Sequence, residues 1–149
     1  MNDLHINEFY QDAGRVLTAL LGVFPRPVPI YVEDISGPDE PDEYGVHSSR
    51  HQACFATLLW LGEEGYLRYD EPIKQEAIDQ AVLTGRCFTA LLSSSELSTP
   101  TEPNDLPPSI AEERASLGFQ LKEAVYGKDS AALNRAMTTL LRRMTPSIT

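Results

Sequence analysis

The stretch from Cys54 to Leu92, CFATLLWLGEEGYLRYDEPIKQEAIDQAVLTGRCFTALL, limits most strongly what this chain can fold into. Its opening continues an apolar run: Ala53, Cys54, Phe55, Ala56, Leu58, Leu59, Trp60 and Leu61, with Thr57 the polar interruption. A helix that is apolar on all sides belongs at the centre of a domain, so a buried central helix is expected over 49–64, capped by Ser48 or Ser49. Gly62 and Gly65 bracket its end. GYLRYD (65–70) and EAIDQAVL (76–83) then read as two strands, with EPIK supplying the turn between them. Thr84 is placed to cap a following helix that carries Cys87, Phe88, Leu91 and Leu92.

The upstream segments supply partners for that centre. Ile6, Phe9, Tyr10, Ala13, Val16, Leu17, Leu20 and Leu21 recur at three- and four-residue spacings, which puts them on one stripe of a helix over 3–23. VPIYVEDI (28–35) sets Ile30 and Val32 against Tyr31 and Glu33 and reads as a short strand. SGPDEPDEYGVHSS (36–49) holds two prolines, two glycines and four acids, and reads as a mobile acidic surface loop.

Downstream, SSSELSTPTEPNDLPPS (93–109) has four prolines and too few apolar residues to fold alone, so 94–109 is expected to be a linker. Ser109 and Glu112 match a capping box and open a helix expected to run to Tyr126, with Ile110, Leu117, Leu121, Ala124 and Val125 on one side. Gly127 ends it. Asp129 or Ser130 starts the last helix, whose stripe includes Leu133, Met137, Leu140, Leu141 and Met144. The two helices form an antiparallel hairpin over 110–149 that packs on residues 1–93 or on a second copy of the chain. That stripe is the expected seam of a homodimer, because an exposed apolar hairpin must be covered.

The fold class is therefore α+β and mostly helical. Helix, strand, loop, central helix, hairpin and helix follow one another in the order of the winged-helix superfamily. TLLWLGEEGYLRYD (57–70) and AVLTGRCFTALL (81–92) carry the resemblance, over about residues 3–93. It implies a winged-helix-like domain with a small β-hairpin wing. It also implies a DNA-binding transcriptional regulator that uses the central helix and wing. The nucleic-acid face would then hold Arg50, His51, Gln52, Arg68 and Lys74.

Charge argues against that use. The chain has 12 Lys and Arg against 22 Asp and Glu, a formal net charge of −10, which repels phosphates at long range. Six of the bases fall in residues 114–149. The acidic loop stands where a second short helix would normally approach DNA.

Other chemistry is thinly represented. His47, His51 and Cys54 fall at i, i+4 and i+7, and imidazole with thiolate suits zinc. Cys54, however, belongs to the apolar run, Ser48 and Ser49 start the helix after His47, and no fourth ligand is adjacent in the sequence. The preferred reading is two surface histidines and a core thiol. Cys87 has Arg86 beside it, but neighbours in a helix point apart. The carboxylates of 33–43 lack the spacing of a calcium loop, and there is no glycine-rich phosphate loop.

The expectation is a non-enzymatic, cytoplasmic protein-interaction module without metal, cofactor or membrane segment. Its partner is another protein or itself as a homodimer. The two cysteines read as reduced, buried thiols.

Overall fold

A computed structural model describes residues 4–95 and 107–146. In chain order the elements are α1 (Leu4–Val23), β1 (Val28–Tyr31), α2 (Val32–Ser36), α3 (Ser49–Glu63), β2 (Leu67–Arg68), β3 (Pro72–Ile73), β4 (Ala77–Leu83), α4 (Gly85–Leu92), α5 (Pro108–Ala115), α6 (Leu117–Tyr126) and α7 (Ser130–Met144). The class is α+β, with helices around a small antiparallel sheet. No helix among the described residues is long and apolar enough to cross a membrane.

β4 is the centre of the sheet. β1 pairs along one edge, with Tyr31 opposite Ala77 and Ile30 opposite Ile78. β3 and β2 pair along the other, with Ile73 opposite Ala77 and Leu67 opposite Leu83. EPIK is thus not the turn itself: Pro72 and Ile73 pair with β4, and the chain reverses at 74–76, where Lys74 takes a positive φ of 51°. A two-residue strand is too short to show period-two alternation, so its sequence reads as a turn.

The strand expected over 28–35 is cut short. Only 28–31 is extended; Val32 enters α2, and its N–H donates to Glu76 O. Val32 and Ile35 are both buried, a three-residue spacing that serves one turn of helix as well as alternation serves a strand.

α3 runs over Ser49–Glu63 as expected, but it is not apolar on every face. Its buried residues are His51, Cys54, Thr57, Leu58 and Leu61, while Ala53 and Ala56 are exposed. Small alanines are tolerated in water, and the Thr57 hydroxyl satisfies itself by donating to Ala53 O at 3.0 Å.

α6 and α7 lie against α1 and α4 of the same chain. Leu117, Leu121, Leu133, Met137, Leu140 and Met144 join Leu17, Leu20, Leu58 and Leu91 in one core cluster. This corrects the expected dimer seam: Leu133, Met137, Leu140 and Met144 are buried within the chain, and Leu141 packs on the same core. The periodicity was sound, but a stripe does not say whose surface covers it. Gly118 permits the close approach of α6, since a Cβ there would lie 2.7 Å from Leu21 Cδ2 and 3.1 Å from Leu91 O.

The helix expected over 109–126 is two helices. Ser116 is extended (φ −71°, ψ 152°), donates its hydroxyl to Glu113 O and accepts from Phe119 N–H, so it caps α6 and ends α5. Ile110, assigned to the core side, is exposed on α5, which has no buried residue. The capping box at Ser109 does not form; α5 begins at Pro108 with no side-chain cap. Of the expected linker, 96–106 lies outside the described residues. Its flank is paired: Ser95 N–H donates to Ala115 O, and Leu117 N–H donates to Ser93 O.

Candidate functional site

The α2–α3 loop is the segment that most departs from expectation. Pro38 and Pro41 flank Asp39 and keep the chain extended there. Asp42 then turns it back, accepting from Tyr44 N–H at 2.9 Å and Val46 N–H at 3.0 Å, with Gly45 at φ 79°. This turn brings His47 and Ser48 back onto Asp39. Ser48 N–H donates to Asp39 Oδ2 at 3.1 Å, and its hydroxyl donates to Asp39 Oδ1 at 2.5 Å. The loop read as mobile is therefore tied at both ends.

Ser48 also caps α3, accepting from His51 N–H at 3.2 Å. That cap places His51 in the first turn, at the start of the stripe continued by Cys54, Leu58 and Leu61. His51 is 1% exposed, which corrects its assignment to a surface face. The signal for this was present: the core spacing of α3 extends back one turn to position 51.

His47 and His51 stack, with ring centroids 3.7 Å apart and planes 6° apart. His47 Nδ1–H donates to Asp39 Oδ2 at 2.9 Å, and its Nε2–H donates to Glu76 Oε1 at 2.5 Å. Carboxylates only accept, so the ring that satisfies both carries both protons. Asp39 and then Glu76 hold the His47 pKa above its ordinary 6.5. The Ser48 hydroxyl and His47 hold Asp39 down at about 2.

His51 is arranged differently. Its Nε2–H donates to Gln75 O at 2.7 Å, in the hairpin turn. In the neutral ring that bond fixes the tautomer, with Nδ1 as the acceptor. Nδ1 is buried, has no hydrogen-bond partner and lies 3.9 Å from Asp39 Oδ2. Asp39, His47 and His51 each offer a ligand atom, and these atoms lie within 4.8 Å of one another. Cys54 is not in the group; burial, and next the Asp12 charge, push its thiol up to about 12. Burial alone pushes Cys87 to about 12.

Sequence reasoning singled out His47 and His51, set Asp39 aside among the loop carboxylates, and missed Glu76. Glu76 reaches His47 across 29 residues and Asp39 across eight, through turns no local spacing encodes.

The five residues assigned to a nucleic-acid face are not brought together as one. Arg50 turns inward, donating from Nη1 to Asp12 Oδ2 at 2.8 Å and from Nη2 to Asp12 Oδ1 at 2.6 Å, with Glu8 at 3.7 Å. Asp12 is 1% exposed, and Arg50 of α3 donates to both of its carboxylate oxygens. Gln52 is exposed, but its amide donates to His47 O at 2.8 Å. Arg68 and Lys74 remain exposed on the hairpin.

No family model, no curated protein and no solved structure matches the chain.

Proposed function

We propose that this chain is a winged-helix-like module that acts by binding a protein and does not read nucleic acid. Support for the fold reading comes from the element order and from the sheet, in which β4 lies between β1 and β2 as the return strand of a wing. His51–Gln75 ties α3 to the wing, and His47–Glu76 ties the loop before α3 to it.

The observation that carries the functional half is the Arg50–Asp12 clamp. A helix that enters the major groove must spend its cations on phosphates and base edges. Here the cation at the start of α3 is already neutralised by a buried carboxylate, and the neighbouring histidine is in the core. Glu40, Asp42 and Glu43 are exposed on the loop leading into α3. Tyr44, 83% exposed, and Val46 stand among them. Acids around exposed apolar side chains suit a basic protein segment with its own apolar anchors.

The test is fluorescence anisotropy at low and physiological salt, with a random DNA duplex and a Lys/Arg-rich peptide as separate probes. The reading predicts salt-sensitive binding of the peptide and none of the duplex. Duplex binding that weakens steeply with salt would favour the regulator reading instead.

A further inference from the structure

Going beyond that reading, we propose that Asp39, His47 and His51 bind a divalent transition-metal ion of the zinc type, with Asp39 Oδ2 and the two Nδ1 atoms as ligands. Three observations converge on those atoms.

The first is the orphaned Nδ1 of His51. A buried acceptor without a donor is rare in a folded chain, because its lost hydration is not replaced. This one faces a carboxylate oxygen, which cannot donate to it. A cation between them satisfies both.

The second is the set of outer partners. A metal-binding imidazole characteristically passes its other N–H to a carboxylate or a backbone carbonyl, which fixes the tautomer and raises ligand basicity. Both forms occur here. His47 Nε2–H goes to the Glu76 carboxylate, and His51 Nε2–H goes to the Gln75 carbonyl. Both Nδ1 atoms are thereby directed to the same carboxylate.

The third is the donor chemistry. Two imidazoles and one carboxylate suit zinc and its neighbours; magnesium and calcium prefer oxygen alone, and thiolate selects softer ions. The Cys54 thiol lies outside the group. Three protein ligands leave a fourth position open to water or to a partner's side chain.

Binding requires the loss of the His47 Nδ1 proton to solvent, and one movement. Lone pairs of rings only 6° from parallel lie side by side, whereas ligands of one ion converge on it. His51 is fixed in the core, so the His47 ring turns. The Glu76 side chain is 43% exposed and free to follow its bond. The ion would then join the acidic loop, the start of α3 and the hairpin at one point.

The experiment is a calorimetric titration of the full chain, stripped with chelator, with Zn2+. Wild type should bind one ion. His47→Gln and Asp39→Asn should each weaken binding by about 100-fold or more, and Glu76→Gln by about 10-fold or more. His5→Gln should leave it unchanged, since His5 is exposed on α1 and outside the group. Far-UV circular dichroism checks that each variant folds. The Co2+ spectrum of wild type needs no variant: it should show four-coordinate ligand-field bands and no thiolate charge-transfer band. No one-to-one component with Zn2+, an unchanged affinity in both ligand variants, or a thiolate band with Co2+ would overturn the assignment.

Discussion

His51 Nδ1 faces Asp39 Oδ2 across 3.9 Å, inside the fold, with no proton donor for either atom along that line. The helix that carries His51 and the loop that carries Asp39 are thus brought together around a gap fitted to a cation. Everything else about the two residues is well satisfied: Asp39 accepts three bonds from His47 and Ser48, and His51 donates to Gln75.

The Arg50–Asp12 pair should respond asymmetrically to truncation. In Arg50→Ala, Asp12 stays buried and loses its partner, at a cost of about 3 kcal/mol. In Asp12→Ala, the Arg50 head is already 31% exposed and can swing into water, so the loss is smaller, about 2 kcal/mol. Urea denaturation of the two variants measures the difference. Equal losses would mean that Arg50 is held by something other than Asp12.

The loop clamp should have two pH limits. His47 has a folded pKa above its ordinary 6.5, so its contribution is complete below about 6.5 and is lost as pH rises through the folded value. Asp39 is lowered from 3.8 to about 2, so its contribution is present above about 4 and is lost as pH falls towards 2. The loop is therefore held best between about pH 4 and 6.5. Amide exchange at Ser48, corrected for the intrinsic pH effect, should show greatest protection in that window. His47→Gln should abolish the upper limit and leave the lower one.

Two glycines separate packing from helix propensity. Gly118→Ala puts a methyl against Leu21 and the Leu91 carbonyl and should destabilise by about 1–3 kcal/mol. Gly22→Ala, near the end of α1 with nothing within 4 Å, should stabilise by about 0.5–1 kcal/mol. Thermal melts of both variants check the opposite signs.

Much of the architecture is legible in sequence spacing. The α1 stripe, the bounds of α3, the Thr84 and Asp129 caps and the α7 stripe all follow from local patterns. Ser116 was hidden because the apolar spacing of α5 and α6 continues through it; only the hydroxyl's dual bonding breaks the helix. The α7 stripe was legible as apolar, but its covering by α1 and α4 was not, since that depends on long-range packing. The candidate site was half legible. His47 and His51 stand a helical turn apart in sequence, whereas Asp39 and Glu76 arrive through a turn and a hairpin. Cys54 shares the helix and the spacing of a ligand, but its place in the apolar run assigns its thiol to the core, where it is buried.

The most direct test of the account is the proton map of the two stacked rings. Long-range 1H–15N correlation of the histidine side chains in metal-free protein near pH 6 reports which ring nitrogens carry protons. The structure predicts protons on both nitrogens of His47 and, for His51, a proton on Nε2. A His51 ring protonated at Nδ1 with Nε2 bare would contradict it, because the atom described as an open ligand would already be filled.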